Sequence, residues 1–196
     1  MNRYTIFAGV NGAGKSTLYH QYYKPYKNEQ RINTDEMVAK IGSFEDGFLQ
    51  LKCGKEAVRL INYYFNQNIS FNQETTLTGK SILKNIKRAR DLGYEIHLYY
   101  VGLDNVEVAL KRIDRRVKHG GHGILEQDVR RRYSNSFENL NEIFQYCDKI
   151  LFWDNTEKMN IVAMFDDGNL VFKSKLLPDW LKKNELLATL YDFYFG

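Results

Sequence analysis

Short apolar runs alternate along this chain with longer segments in which apolar residues recur every three or four positions. The short runs predict β-strands at residues 4–8, 31–33, 69–73, 95–101 and 149–153. The longer segments predict helices at residues 15–23, 48–66, 81–92, 105–117 and 126–146. Alternating strands and helices favour an α/β sandwich around a mainly parallel five-stranded sheet.

The last part of the chain follows a different pattern. Two apolar runs flank Asp166-Asp167-Gly168-Asn169 and predict a hairpin, and Pro178 suits the first turn of a helix reaching about Phe193. This C-terminal hairpin and helix would cover about 159–193. Without a linker or repeat, we expect a single domain over residues 1–196. Asp104 is the expected N-terminal cap of the helix predicted at residues 105–117, and Pro25 is the expected end of the first helix.

Composition excludes several classes of protein. No apolar run is long enough to cross a bilayer, and only a few residues precede the first glycine-rich segment, so we expect a cytoplasmic protein without a signal peptide or a membrane partner. Cys53 and Cys147 lie far apart without a CxxC pattern, which argues against a disulfide framework or a zinc site.

The segment between the first strand and the first helix carries the most specific motif. From Gly9 to Ser16 it reads G-x-x-x-x-G-K-S, the pattern of a phosphate-binding loop. Its glycines let backbone N–H groups converge on an anion, near the positive end of the next helix. We expect Lys15 at the outer phosphates and the Ser16 hydroxyl at Mg²⁺. Nucleotide contacts are expected from the whole loop: Gly9, Val10, Asn11, Gly12, Ala13, Gly14, Lys15, Ser16 and Thr17.

The loop alone leaves two points open. A plain glycine-rich turn is the competing explanation of the motif, and the loop does not separate ATP from GTP. What the nucleotide is used for has to come from other residues, and ligands of such sheets bind beyond the carboxyl ends of the strands.

Acidic side chains follow the predicted second and third strands. A phosphotransferase needs a carboxylate at the attacking hydroxyl, and magnesium needs acidic partners in its outer shell, so Asp35 and Glu74 are the natural pair. Helix capping is the alternative for Asp35, and a polar strand end is the alternative for Glu74. Asp154 and Asn155 close the fifth strand in the same way.

A basic segment interrupted by Gly120-Gly121-His122-Gly123 lies between the last two long helices. Residues 111–132 hold eight basic and three acidic side chains, a local charge of +5 in a chain of net charge +4. Such a cluster predicts a lid, about 116–132, that brings arginines onto a phosphoryl group. Arg116 and Arg132 flank the turn, whereas a solvated basic face explains most of the others. For His122, a contact to the backbone is favoured over acid–base chemistry.

Six motifs occur in one order over residues 4–156: A-G-V-N-G-A-G-K-S-T, N-T-D-E, F-N-Q-E-T-T-L-T-G, R-V-K-H-G-G-H-G, R-R-Y-S-N-S-F-E-N-L and W-D-N-T. Together they resemble the zeta-toxin-like P-loop kinases. The resemblance implies a bacterial cytoplasmic kinase with a P-loop NTPase fold. The best-known members of that family use ATP to phosphorylate UDP-N-acetylglucosamine and are restrained by an antitoxin.

The resemblance also implies roles for individual residues. Lys15 and Ser16 would serve ATP and Mg²⁺, and Asp35 would be the catalytic base. Glu74, with Thr75 in the same motif, would contact the sugar nucleotide. Arg116 and Arg132 would face phosphate, although the run Arg130-Arg131-Arg132 leaves the choice of arginine open, and Asn155 would lie near the nucleotide base.

The chain departs from the toxins in its third strand, which reads F-N-Q-E-T-T where they have an apolar run into E-G-T. The acceptor is therefore open, and a small molecule, first of all a sugar nucleotide, is the leading hypothesis. A nucleotide-gated binding protein is the alternative from another class. A kinase for a different nucleoside or for nucleic-acid ends is a third hypothesis, and the local character of the basic cluster argues against a nucleic-acid partner.

Overall fold

The computed structural model describes residues 1–24, 29–44 and 46–182. In these ranges the strands are β1 (Arg3–Ala8), β2 (Gln30–Ile32), β3 (Phe71–Thr75), β4 (Glu95–Gly102), β5 (Lys149–Asp154), β6 (Asn160–Asp166) and β7 (Asn169–Lys173). The α-helices are α1 (Lys15–Leu18), α2 (Thr34–Ile41), α3 (Gly47–Asn66), α4 (Lys80–Asp91), α5 (Val106–Lys118), α6 (Glu126–Ile143) and α7 (Asp179–Lys182). A π-helical turn (Tyr19–Tyr23) continues α1, and a 3₁₀ turn (Phe144–Tyr146) continues α6.

All seven strands join one sheet in the order β2-β3-β1-β4-β5-β6-β7. The five strands from β2 to β5 run parallel, which confirms the predicted parallel core. The predicted hairpin extends the same sheet, because β6 pairs antiparallel with β5. The connection from β5 to β6 is too short for a parallel crossover, so only this pairing is open to it.

Helices cover both faces of the sheet and form a three-layer sandwich. One core cluster packs Ile6 and Phe71 of the sheet against helices α3, α4 and α6. The other packs Phe7 and Val101 against α1 and α5. Strands covered on both faces read as continuous apolar runs, which explains the clear signals of β1 and β4. Across the residues that the structure describes, none of the helices is both apolar and long enough to traverse a bilayer.

Two predicted boundaries change. The third strand begins at Phe71 instead of Ile69, because the Ile69 N–H donates back to the Tyr64 carbonyl (2.9 Å) and completes the end of α3. Asp104 does not cap the next helix. Asn105 takes that position and accepts from the Val108 N–H (3.2 Å), while Asp104 accepts from the Trp180 N–H (3.2 Å).

The ends of two other predicted helices lie outside the described residues. The predicted end of the first helix at Pro25 falls in one gap, after the π-helical turn. The predicted C-terminal helix begins as α7, and its continuation to Phe193 falls beyond the last described residue.

Candidate active site

The glycine-rich loop follows β1, and it has no room for a side chain at Gly9 or at Gly14. Gly9 has φ +137°, and a Cβ there would lie 2.3 Å from the Val101 carbonyl oxygen of the neighbouring strand. Gly14 has φ +102°, and a Cβ would lie 2.5 Å from the amide nitrogen of Asn155. That amide donates to the Ala13 carbonyl (2.8 Å) and fixes the loop from the end of β5. Both positions therefore require glycine, because the loop packs directly against β4 and against Asn155.

Lys15 begins α1 and points back into the loop. Its side chain is buried, and its Nζ donates to the Val10 carbonyl (3.1 Å). Burial lowers the pKa of Lys15, and the positive charges of Arg116 and Arg132 act in the same direction. The carboxylates of Glu74 and Asp35 oppose that shift in pKa. All four of these predicted side chains thus lie close enough to Lys15 to act on its charge.

Glu74 lies beside the serine of the loop. It sits on β3, next to β1, where Phe7 is its partner in the register. Both carboxylate oxygens accept from the Ser16 hydroxyl (2.9 and 3.0 Å), and one also accepts from Asn33 Nδ2 (2.9 Å). P-loop proteins hold magnesium with the hydroxyl of this serine and a nearby carboxylate. Glu74 supplies such a carboxylate here.

Arg31 is a member of this cluster that sequence reasoning did not identify. Its Nη2 donates to Glu74 (2.6 Å) and to Glu36 (2.8 Å), and its guanidinium lies 3.6 Å from the centroid of the Tyr19 ring. The guanidinium fork holds two carboxylates at once, which a lysine in this position would not do. The sequence signal that could have identified Arg31 is a basic residue inside a short predicted strand.

Asp35 belongs to the first turn of α2 and is not its cap. Asn33 caps the helix, because its Oδ1 accepts from the N–H groups of Asp35 (3.0 Å) and Glu36 (3.3 Å). The capping alternative for Asp35 is therefore wrong. With 52% of its side chain exposed, the carboxylate is accessible to an incoming hydroxyl.

The lid begins where α5 ends in a glycine turn. Gly120 adopts φ +83°, and the Gly121 N–H donates to the Arg116 carbonyl (2.9 Å), which is the usual way that a left-handed residue closes a helix. A Cβ on Gly121 would lie 2.5 Å from the Arg116 side chain. The two glycines therefore let the chain fold back over Arg116.

The arginines of the lid have different partners. Arg130 pairs with Glu107 and Glu126, and Arg131 pairs with Asp128. Arg132 Nη1 instead donates to Asn11 Oδ1 in the glycine-rich loop (2.9 Å). Of the run of three, the structure thus brings Arg132 to the loop.

Arg116 has two buried donors without a hydrogen-bond partner, Nε and Nη2. Buried donors of a charged group are costly to leave unpaired, so an orphaned guanidinium next to a phosphate-binding loop fits an anion that is bound there.

His122 and Thr75 complete the set of predicted positions. Nε2 of His122 lies 3.4 Å from Asp35 Oδ2, so its partner is a carboxylate and not the backbone group that the sequence favoured. Burial lowers the pKa of His122, as does Arg116, while Asp35 opposes the shift. Thr75 Oγ1 accepts from the Leu77 N–H (3.0 Å) and supports the turn after β3. Thr17 is exposed beside the loop.

Asp154 is the acidic residue at the end of β5, and its carboxylate already accepts hydrogen bonds from other side chains. It accepts from the Thr156 hydroxyl (2.7 Å) and from the Trp180 indole N–H (2.9 Å). In the described part of the chain, no group of three or more His, Cys, Asp or Glu side chains is placed to hold a metal ion. Magnesium with a nucleotide needs no such group, because phosphate oxygens and water supply most of its ligands. The Ser16 hydroxyl with Glu74 behind it fits this kind of site.

Comparison with known proteins identifies the family. The model of the zeta toxin family matches residues 3–167. The chain belongs to the zeta toxin family. A Haemophilus influenzae protein described only as uncharacterized is 36% identical over 132 residues, which cover 67% of this chain and 93% of that protein.

Two solved structures share the fold. The AvrRxo1-ORF1:AvrRxo1-ORF2 structure with sulphate ions aligns with a TM-score of 0.71 at 13% identity, covering 98% of this chain and 63% of that one. The PezAT toxin–antitoxin system of Streptococcus pneumoniae aligns with a TM-score of 0.61 at 14% identity, covering 100% and 88%. This zeta toxin family member therefore has the P-loop kinase-like fold, and it spans 63% of the length of the AvrRxo1 chain.

Proposed function

We propose that this zeta toxin family member is an ATP-dependent phosphotransferase. It would move the γ-phosphate to a hydroxyl of a small molecule, with sugar nucleotides as the acceptor class and UDP-N-acetylglucosamine as the first candidate. The observation that carries the proposal is the arrangement around the glycine-rich loop: Glu74 accepts from the Ser16 hydroxyl (2.9 Å), and Arg132 donates to Asn11 (2.9 Å). The exposed carboxylate of Asp35 and the guanidinium of Arg116 lie close enough to act on the charge of Lys15. A binding module needs the phosphate contacts but not an exposed carboxylate beside them.

The donor half of the proposed site is the glycine-rich loop with Lys15 and Ser16. Backbone N–H groups from Gly9 to Thr17 would bind the phosphates, and the Lys15 ammonium would leave the Val10 carbonyl for the outer ones. Ser16 would hold Mg²⁺, with Glu74 accepting from its hydroxyl or from a coordinated water. Bound there, Mg²⁺ neutralises charge that develops on the phosphates. Asn155 would lie at the side of the loop nearest the base.

The acceptor half is built around Asp35. The acceptor's hydroxyl oxygen forms a bond to the γ-phosphorus, and the bond from that phosphorus to the bridging oxygen breaks, so ADP leaves. The hydroxyl proton passes to the Asp35 carboxylate. The exposure of Asp35, at the start of a helix capped by Asn33, supports this role. Thr75 and Glu74 would border the acceptor at the end of β3.

The lid arginines would stabilise charge on the transferring group. Arg116 has two buried donors without a hydrogen-bond partner, and Arg132 contacts the loop through its hydrogen bond to Asn11. Planar guanidinium groups suit phosphoryl oxygens, and such arginines are worth several orders of magnitude in rate in related chemistry.

The family also suggests a partner. The PezAT structure is that of a toxin–antitoxin system, and the AvrRxo1 structures hold ORF1 together with ORF2. One of the AvrRxo1 structures contains ATP. These likenesses support ATP as the donor and an antitoxin protein as a partner of this chain.

The test is transfer of label from γ-labelled ATP with magnesium to a panel of acceptors. The panel holds sugar nucleotides, nucleosides and 5′-hydroxyl oligonucleotides. We expect a labelled sugar nucleotide. Label on oligonucleotides alone would identify a nucleic-acid end kinase, and ATP binding without transfer to any pool would favour a nucleotide-gated binding protein.

A further inference from the structure

One contact crosses from the lid to the acceptor side of the site. His122, in the glycine turn of the lid, brings Nε2 to 3.4 Å from Asp35 Oδ2. The two residues are far apart in the sequence and lie on different elements. In the described residues, this is the contact through which the lid meets the predicted catalytic carboxylate.

The imidazole is held in place from a second direction. Its ring stacks on Phe44, in the connection after α2, with ring centroids 3.9 Å apart and an interplanar angle of 19°. Only 16% of the His122 side chain is exposed, against 52% for Asp35. With the ring held by stacking and burial, its Nε2 faces the carboxylate.

The glycines around His122 allow this reach. Gly120 turns the chain at the end of α5, Gly121 leaves no space for a Cβ against Arg116, and Gly123 is close to Val117. The same turn therefore sets Arg116 under the chain and His122 over Asp35. The charged groups that act on His122 are Asp35 from α2 and Arg116 from α5.

We infer that His122 is a positioning residue, which holds the Asp35 carboxylate toward the acceptor hydroxyl and joins the closed lid to α2. The inference rests on the proposed phosphotransfer, since it assigns His122 a part in that reaction. One carboxylate oxygen faces the imidazole Nε2 at 3.4 Å, and the other is left for the hydroxyl proton.

Two substitutions at His122 distinguish the contribution of its N–H donor from that of its aromatic ring. His122→Gln keeps an N–H donor of similar reach and loses the ring, whereas His122→Phe keeps the stack on Phe44 and loses the donor. We expect His122→Phe to lower kcat on the order of tenfold or more, with little change in KM for ATP, and His122→Gln to restore most of kcat. His119→Gln, an exposed histidine of the same turn, is the matched control and should leave kcat unchanged.

A readout without turnover distinguishes failure of this inference from failure of the proposed function. In histidine side-chain NMR, Asp35→Asn should lower the pKa of His122, because it removes the carboxylate that opposes burial and Arg116. The His119 signal should not change. An unchanged His122 pKa, or a His122→Phe enzyme that is faster than His122→Gln, overturns the positioning role. If the NMR shift is present but the wild-type protein transfers no phosphate, the contact stands and the proposed function fails, and the catalytic role of His122 fails with it.

Discussion

The position of Lys15 suits phosphate binding but is unfavourable for its charge when no nucleotide is bound. A phosphate-binding lysine must be close to the loop, and here it is buried with a backbone carbonyl as its hydrogen-bond partner. Burial lowers its pKa, as do two nearby arginines. A buried ammonium costs desolvation that a carbonyl only partly offsets, so Lys15 serves binding at the expense of stability.

Replacing Lys15 should reveal this conflict. We expect Lys15→Met to raise the free energy of unfolding of the nucleotide-free protein by about 1 kcal/mol, because a buried charge is replaced by an apolar chain of similar length. At a hundred times its Kd, ATP should stabilise the wild type by about 2.7 kcal/mol, and this gain should be lost in the variant. Urea unfolding with and without ATP measures both effects.

Lys84→Met, at an exposed position on α4, is the control and should change neither quantity. A Lys15→Met protein that ATP stabilises as strongly as the wild type would contradict the assigned role of Lys15.

Individual residues differ in how far the sequence reveals them. The loop from Gly9 to Ser16 is a local motif, so its chemistry could be predicted from spacing alone. The role of Arg31 could not be predicted from spacing, because its partners Glu36 and Glu74 come together only when β2 pairs with β3. The contact of His122 with Asp35 depends likewise on the path of the lid across the sheet edge.

At the scale of elements, α2 is the part that connects the two halves of the site. Its cap, Asn33, accepts from two N–H groups of α2 and donates through Nδ2 to Glu74. One side chain therefore sets both the start of the helix that carries Asp35 and the carboxylate beside Ser16.

Removing this cap should affect stability and catalysis together. We expect Asn33→Ala to lower the free energy of unfolding by about 1 kcal/mol, the usual cost of a lost cap. It should also lower kcat on the order of tenfold, since a small displacement of a catalytic group has effects of at least that size. Chemical unfolding and steady-state kinetics give the two numbers.

Asn105→Ala provides a matched comparison, because Asn105 caps α5 through one hydrogen bond, far along the helix from Arg116. A similar loss of stability with normal kcat is expected. If both variants kept full activity, Asn33 would be a structural cap only.

The elements themselves were largely predictable, and their ends were not. Continuous apolar runs predicted β1, β4 and β5, because both faces of the sheet are covered there, whereas β2 and β3 contain few apolar residues. The start of β3 was misplaced because Ile69 completes α3 through its N–H, a contact that the apolar pattern does not record. The hairpin was predicted from Asp167-Gly168, both at positive φ as a two-residue turn requires, whereas its place in the sheet follows from the short connection after β5.

At the scale of the whole molecule, stability should depend on pH through His97 of β4. The side chain is buried, and its Nε2 lies 2.7 Å from Glu95 Oε1. Burial lowers the pKa of His97, as do Arg3 and Lys149, while Glu95 opposes the shift. The unfolded chain therefore binds a proton more readily than the folded protein does.

Acidification below about pH 6.5 should thus cost stability, because the unfolded state gains protons first. We expect urea midpoints to fall between pH 7.5 and pH 5.5 in the wild type, and to fall less in His97→Gln. His119→Gln, at an exposed histidine, should behave as the wild type does. Equal pH dependence in the wild type and His97→Gln would contradict this origin.

The most direct test of the proposed phosphotransferase is the single-turnover rate of γ-phosphate transfer by Asp35→Asn, measured with the acceptor that the wild type labels. The substitution keeps the shape of the side chain and removes its ability to take a proton. We predict a rate lower by a factor on the order of a hundred or more, with ATP binding unchanged by calorimetry. Transfer within a few-fold of the wild-type rate would contradict the account.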